Sequence, residues 1–414
     1  MSISNELEKR GFINQFTGDS LADILDSQKR TIYHGIDPTA DSAHAGNFVN
    51  WMLLRHLAKA GHEIIFLVGG GTGMIGDPKS DVERPTADPE QVEKNLSKIK
   101  MQAERIFAGM PVTFINNADW LTKLNLIEFL RDTGKNFSVN ELIKKEAIAA
   151  RLAGENGISY TEFAYPLLQA YDYLVLHQEH GCDVQVGGSD QWGNMVAGVD
   201  LIRRKAGTVT HAVTVPLIVD KTTGKKFGKS EGNAVWLDGE KTTPYQFYQF
   251  WLNTADENVL DYLKLFTDLS VDNIESLTQE FEKNPEKREA QKTLAREVTV
   301  IVHGEAAATA AENVSKLLFG EKSLSELTAE EMEVLKKNAP THEVQDGALL
   351  IEVLVDSGLA TSKREARTFM ESGAISLQGE KIDNIEYVLA ATNFTQGVAV
   401  VRRGKKQLCV LTQK

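Results

Sequence analysis

The chain has 414 residues, a formal net charge of −13, and 42% hydrophobic and 25% charged residues. That length suggests two or three domains and the composition is ordinary for a soluble globular protein, while an acidic pI near 5.3 argues against non-specific nucleic-acid binding by the whole surface and leaves room for a local basic patch. Two cysteines, Cys182 and Cys409, cannot make a disulfide framework or a Cys-rich metal site and fit a reducing cytoplasm, the N-terminal MSISNELEKRGFINQF has no signal-peptide core, and no apolar run is long enough to span a bilayer.

Taken in chain order, TIYHGI (31–36) reads as a short buried strand. HAGNFVNWMLLRHLAKAGH follows as a helix with apolar residues at helical spacing and Gly61 as its stop. EIIFLVGG, DVQVGGSDQWGN and AVTVPLIVD are further strand–loop pieces. Apolar strands alternating with helices predict a parallel sheet with helices on both faces, and a ligand site beyond the carboxyl ends of the strands. From about Pro244 the pattern becomes helical, with breaks near Asn253, Ser270 and Pro285. The acidic, poorly periodic stretch 321–346, broken by Pro340, reads as a linker. A compact unit of two helical segments and later strands is expected from 347 to 414. The expected division is therefore an α/β domain over 1–243, a helical domain over 244–320, the linker, and a small α+β domain.

Five polar stretches carry chemistry. YHGIDPTADSAHAGN (33–47) joins a strand to a helix, and its His-x-Gly-Asn falls at the helix start, where free N–H groups and the macrodipole favour anions. A histidine that merely caps the helix accounts for the same residues. GGGTGMIGDP (69–78) lacks the Gly-Lys-Ser/Thr of a phosphate-binding loop and the dinucleotide fingerprint, so it reads as a turn or as a presenter of Asp77 to an ammonium group. In YPLLQAYD, Tyr165, Gln169 and Asp172 share one helical face, either solvated or lining a pocket able to orient an amino acid. VQVGGSDQWGN places Asp190 and Gln191 after a glycine pair at a strand end. KTTGKKFGKSEGN (221–233) packs four lysines and three glycines into an acidic protein, as a mobile phosphate clamp or a solvated turn. The nine histidines and two cysteines show no metal-site spacing.

Together, and in this order, these segments resemble the bacterial tyrosyl-tRNA synthetase family of class I aminoacyl-tRNA synthetases over essentially the whole chain. HAGN is similar to the first class signature, with Asn47 where histidine is usual, and KFGKS to the second. His34 also stands where a smaller residue often occurs. The resemblance implies a Rossmann-like catalytic domain that activates L-tyrosine with ATP and transfers it to tRNA(Tyr). It implies Tyr33 and Asp172 on the substrate phenol, and Asp77, Tyr165 and Gln169 on its ammonium. His44 and Thr39 would contact the phosphates, with Asn47 close to the ribose. Asp37, Asp190 and Gln191 would lie around ribose and carboxylate, and Gly35 and Gly46 would let the nucleotide pack close. Lys226 and Lys229, with Ser230 beside them and Gly228 as hinge, would close on the pyrophosphate. ATP is expected as substrate, with Mg²⁺ carried by the nucleotide and no metal bound by the protein.

SKREARTFMESGAISLQGEKI resembles the RNA-binding fold of the fourth ribosomal small-subunit protein, with Lys363, Arg364 and Arg367 on one helical face and RRGKK adding Arg402, Arg403, Lys405 and Lys406. From Gly347 on, nine lysines and arginines stand against seven acids, unlike the acidic remainder. The resemblance further implies a cytoplasmic homodimer joined around WLTKLNLIEFLRDTGKNFSVNELI, with neither membrane nor DNA as partner. Tryptophanyl-tRNA synthetases share the class signatures, but Tyr33, the YPLLQAYD stripe and the C-terminal unit favour tyrosine. An idle RNA-binding regulator would need no phosphate clamp, and a small-molecule adenylyltransferase would need no RNA unit.

Overall fold

A computed structural model describes residues 1–78, 87–154, 157–224, 227, 229–230, 233–404 and 407–414, with the backbone alone at 146, 229, 230 and 233. The described residues form two compact units, one of 1–242 with 254–294, the other of 243–253 with 295–414.

The first unit is built on strands β1 (Gln15–Phe16), β2 (Thr31–Ile36), β3 (Glu63–Val68), β4 (Val112–Asn116), β5 (Val184–Gly188) and β6 (His211–Val215). Their order is β1-β6-β5-β2-β3-β4. All neighbours are parallel except β1 with β6. Successive strands go one way from β2 (to β3 and β4) and then resume on its other side with β5, so the order reverses between β2 and β5. That is where an open α/β sheet leaves a crevice.

Both sheet faces are covered, as the apolar strands require. On one face Tyr33, Ile65 and Leu67 pack with Tyr173, Leu174, Leu201 and Ile202, which lie on the helices Tyr160–His180 and Trp192–Ala206. On the other, Phe66 meets Trp51 edge-on at 5.2 Å and Phe107 at 5.9 Å. Neighbouring positions of β3 thus face opposite ways, the period-two signature of a strand. The helix Tyr160–His180 starts where Ser159 Oγ accepts the Glu162 N–H and stops at Gly181 with φ 64°. A small hairpin, β7 (Lys229–Ser230) with β8 (Asn233–Ala234), follows the main sheet.

The second unit holds β9 (Thr341–Val344), β10 (Ile375–Leu377), β11 (Glu380–Lys381), β12 (Val398–Arg403) and β13 (Gln407–Gln413), in the order β11-β10-β12-β13-β9. Ala399 and Val401 face a core with Leu350, Leu354, Ala366 and Met370. Val398, Val400 and Val410 face Val314, Leu317, Met332 and Leu335.

Two expected boundaries need correction. The stretch 321–346 is no linker: it contains the helix Ala329–Asn338, started by a Thr328/Glu331 capping box, and the sheet-paired β9. Leu324, Leu327, Met332 and Leu335 are buried there. These apolar anchors are spread thinly among acids, which hides the helical period. Nor is 244–320 one helical domain. The helix Asp256–Phe266 belongs to the first unit, where Phe266 stacks on Phe48 at 6.1 Å and Asp268 takes Lys59 at 2.8 Å. The helices Pro244–Leu252 and Glu305–Phe319 belong to the second. Among the described residues no helix is long and apolar enough to cross a membrane.

Candidate active site

A cavity of about 440 Å³ opens at the β2/β5 crevice, within the first unit. Tyr33, Gly35, Asp37, Thr39, His44, Gly46, Asn47, Asp77, Tyr165, Gln169, Asp172, Asp190 and Gln191 all line it. Residues that lie as far apart as 33 and 191 in sequence meet there because β2, β5 and the helix Tyr160–His180 end or pass at this point.

One end is buried. Asp172, 2% exposed, accepts from Asn117 Nδ2 at 2.9 Å on one oxygen and from Trp120 Nε1 at 2.7 Å on the other. Burial pushes its carboxyl up to about 7 against the pull of those two donors. A carboxylate has lone pairs beyond the two used here, so it can accept another hydroxyl. Tyr33, 1% exposed, has a hydroxyl with no protein partner, and burial, then the Asp172 charge, keeps that phenol protonated well above its usual range. Gln169 Oε1 and Gln185 Oε1 are likewise buried in the cavity wall without a protein partner. Unmet polar atoms on a buried wall are costly unless a ligand or water completes them.

Next to this end lies a polar web. Tyr165 Oη donates to Asp37 Oδ2 at 2.8 Å and Thr72 Oγ1 donates to Asp37 Oδ1 at 2.6 Å. Asn117 Nδ2, besides holding Asp172, donates to Thr72 Oγ1 at 2.8 Å. Both Asp37 oxygens are thereby engaged, one by Tyr165 and one by Thr72. Asp77 Oδ2 accepts from Gln191 Nε2 at 2.8 Å and Asp77 Oδ1 from Asn194 Nδ2 at 3.2 Å. Gln191 is therefore tied to the Asp77 carboxylate.

The other end is more open. His44 caps the helix Ala45–Lys59: its Nδ1 accepts the Gly46 N–H at 3.0 Å, and its own N–H donates to Asn47 Oδ1 at 3.1 Å. The capping reading of HAGN holds, and the capping ring also lines the cavity. Asn47 serves as a capping-box acceptor, a task its amide oxygen performs well. Gly46 is required by its surroundings, because a Cβ there would stand 2.9 Å from His44 Cε1 and 3.1 Å from the Phe227 carbonyl. Gly35 differs: a Cβ would meet only Leu67 Cδ2, at 3.8 Å, so the protein leaves that side of the strand open to the cavity. His34 is buried, bonded through Nδ1 to the Val186 carbonyl at 3.1 Å, and burial pulls its ring down to about 4, so it stays neutral. Exposed Thr39 and Asp190 sit at the rim.

Of the cationic loop, Lys226 and Gly228 lie outside the described residues, and Lys229 and Ser230 are described as β7 backbone. Between them Phe227 is buried against Tyr262 at 4.7 Å and Phe266 at 5.1 Å, and its N–H donates to the Ile218 carbonyl at 2.9 Å. One aromatic side chain pins the middle of the loop.

Asn117, Trp120, Thr72, Asn194 and Gln185 are site residues that the sequence reading missed. Asn117 and Trp120 follow β4 in the segment FINNADW, and polar residues beyond the carboxyl end of a strand were the available signal.

In the second unit, Lys363, Arg364 and Arg367 are exposed on the helix Lys363–Glu371, Lys363 pairing with Glu352 at 2.6 Å. Lys405 and Lys406 lie outside the described residues. Arg402 and Arg403, read as phosphate contacts, are occupied otherwise. Arg402 donates to the Leu318 and Leu317 carbonyls at 2.8 and 2.5 Å, closing the end of the helix Glu305–Phe319. Arg403 donates to the Leu359 carbonyl at 2.6 Å and lies 4.6 Å over the Phe369 ring. An arginine near the end of a helix satisfies last-turn carbonyls, and sequence alone does not distinguish that task from a phosphate contact.

The model of class I tRNA synthetases for tryptophan and tyrosine matches residues 26–320, and that of the tyrosine–tRNA ligase C-terminal domain matches 331–411. The tyrosine–tRNA ligase of Streptococcus mutans is 47% identical over 100% of both chains. The chain belongs to the tyrosine–tRNA ligase family. The Streptococcus pneumoniae ligase is 45% identical, also over 100% of both chains. A C-terminally truncated Aspergillus nidulans mitochondrial tyrosyl-tRNA synthetase aligns with TM-score 0.71 at 31% identity, covering 77% of this chain and 94% of its own. A tryptophanyl-tRNA synthetase from Encephalitozoon cuniculi aligns over 80% of this chain and 94% of its own, with TM-score 0.55 and 12% identity, which is a likeness of fold.

Proposed function

We propose that the enzyme forms tyrosyl-adenylate from L-tyrosine and ATP in this cavity and then passes the tyrosyl group to the 3′ end of tRNA(Tyr). The observation that carries the reading is the buried end of the cavity, where an unpartnered Tyr33 hydroxyl and the doubly held Asp172 carboxylate suit a substrate phenol. Asp77, Tyr165 and Gln169 take the ammonium, and Asp37 orients Tyr165. The tyrosine carboxylate attacks the α-phosphorus, its oxygen forming the new P–O bond as the bond to pyrophosphate breaks. His44, Thr39, Lys226 and Lys229 stabilise the charge on the phosphates, with Asn47, Gly35, Gly46, Asp190 and Ser230 around the nucleotide. Mg²⁺ enters with ATP as part of the substrate. Catalysis is positioning and charge stabilisation, with no covalent enzyme intermediate.

Gel filtration of enzyme mixed with tyrosine and ATP tests this. Bound tyrosyl-adenylate that charges added tRNA supports it, and a tyrosyl-enzyme ester that survives denaturation contradicts it. The same column tests the assembly. Within the segment expected at the dimer contact, Leu126, Ile127 and Val139 are each more than half exposed, which supports a homodimer contact there. The dimer should elute near twice the 45.8 kDa chain mass, and a monomer at working concentration would refute it. A cytoplasmic location accords with the two buried free cysteines.

Asp172 also sets a pH dependence. Its ionised form is the stronger acceptor for the substrate hydroxyl, and burial pushes its carboxyl up to about 7. Tyrosine kcat/KM in ATP–pyrophosphate exchange should therefore be lost as pH falls through about 7. Asn117 donation lowers that value, so Asn117→Ala should move the acid limb to higher pH. A limb that stays put would disconnect Asp172 from tyrosine binding.

For RNA, the exposed Lys363, Arg364 and Arg367 carry the proposal. Deletion from residue 347 is a poor test, since it would strip Val398, Val400 and Val410 from Val314, Leu317, Met332 and Leu335. Changing the three cations to glutamine should leave exchange intact, weaken tRNA binding, and lower its salt slope by about two to three. Unchanged affinity and slope would leave these residues as a solvated face.

A further inference from the structure

We propose that Lys145 is a positioning residue for the ammonium subsite, acting through Asn194 on Gln191 and Asp77. The proposal rests on the reading that Asp77 takes the α-ammonium of tyrosine. Lys145 itself does not line the cavity. Its Nζ donates to the Gly193 carbonyl at 2.9 Å and to Asn194 Oδ1 at 3.0 Å.

An ammonium group only donates, so it can hold only the oxygen end of the Asn194 amide. That turns Nδ2 the other way, where it donates to Asp77 Oδ1 at 3.2 Å and Gln191 Oε1 at 3.4 Å. With its oxygen so engaged, Gln191 presents its own Nε2 to Asp77 Oδ2 at 2.8 Å. Each amide in the chain has one permitted orientation because the first donor is a cation. Without Lys145, the Asn194 amide oxygen loses its anchor and only the 3.2 and 3.4 Å contacts of Nδ2 still hold the side chain, so Asn194 and the Asp77 carboxylate it supports are held more loosely. Burial lowers the Lys145 ammonium to about 8, while the Asp77 charge works to keep it charged, so the two groups sense each other across the amide. Lys145 belongs to none of the signature stretches, and it follows the segment NELIK, read above only as a subunit contact.

The test uses the full-length enzyme in tyrosine-dependent ATP–pyrophosphate exchange without tRNA. Lys145→Met should raise the tyrosine KM about tenfold, the scale of one lost charge-assisted hydrogen bond, while kcat and the ATP KM change less than about twofold. Lys145→Arg, which keeps the cation, should recover most of the loss. Tyramine, which retains the ammonium, should inhibit the Met variant more weakly by the same factor. The inhibition by 3-(4-hydroxyphenyl)propionate, which lacks the ammonium, should not change. Asp77→Asn serves as the reference and should separate the two inhibitors in the same sense. If Asp77→Asn separates them and Lys145→Met does not, the positioning role of Lys145 is overturned and the ammonium reading stands. If Asp77→Asn fails to separate them, the ammonium reading falls and the role of Lys145 with it. Equal weakening of both inhibitors by Lys145→Met also overturns the proposal, as a general disturbance of the fold.

Discussion

Replacing Asp172 with alanine should cut kcat/KM for tyrosine by about 10²–10³-fold, because a hydrogen bond to a charged group is lost and a buried phenol is left short of a partner. The damage reaches further than one contact. Asn117 Nδ2 and Trp120 Nε1 both donate to this carboxylate, so the alanine variant also leaves two donors at the blind end of the cavity without their acceptor. Asn117 still has Thr72 at 2.8 Å, whereas Trp120 Nε1 has no second acceptor among the described residues. Phenylalanine has no hydroxyl to satisfy, so its poor activation should suffer much less, and the tyrosine-to-phenylalanine ratio should collapse. ATP affinity should hardly move, since the nucleotide is proposed to lie at the other end of the cavity, around His44 and Gly46. Measuring both amino acids in one exchange assay, beside a thermal melt, separates lost recognition from lost fold. An unchanged ratio would put Asp172 outside the phenol pocket.

Lys229→Ala should slow adenylate formation by about 10²-fold or more, the size seen when one preorganised charge contact to a transition state is removed. Tyrosine affinity should stay near its original value, because the loop is assigned to phosphate and not to the amino acid. Phe227, two residues before Lys229, lines the cavity, packs on Tyr262 and Phe266 and donates its N–H to the Ile218 carbonyl. Pre-steady-state measurement of adenylate formation at saturating tyrosine reads the effect. A normal rate with a large loss of tyrosine binding would reverse the assignment.

The sequence made some of this site visible and hid the rest for identifiable reasons. Tyr165, Gln169 and Asp172 were legible because helical periodicity puts them on one face, and the cavity does use all three. VQVGGSDQWGN by itself reads as another polar loop, and only the family resemblance singled out Asp190 and Gln191. What periodicity cannot supply is the identity of a bonding partner from another element. Asn117 and Trp120, the residues that hold Asp172, come from beyond a different strand, and nothing in FINNADW names Asp172 as their target. Asp37 illustrates the same limit, since only the folded chain ties it to Tyr165 and Thr72. The acidic stretch 321–346 misled because charge density is a statement about its exposed face. Met332 and Leu335, three residues apart, are enough to dock that helix. Arg402 misled in the opposite way, its charge spent on two backbone carbonyls.

The most direct measurement is exchange of labelled pyrophosphate into ATP, run with each of the twenty amino acids in turn and without tRNA. The account predicts strong exchange with tyrosine, a faint signal with phenylalanine and none with tryptophan. Tryptophan-dependent exchange, or exchange independent of any amino acid, would contradict it.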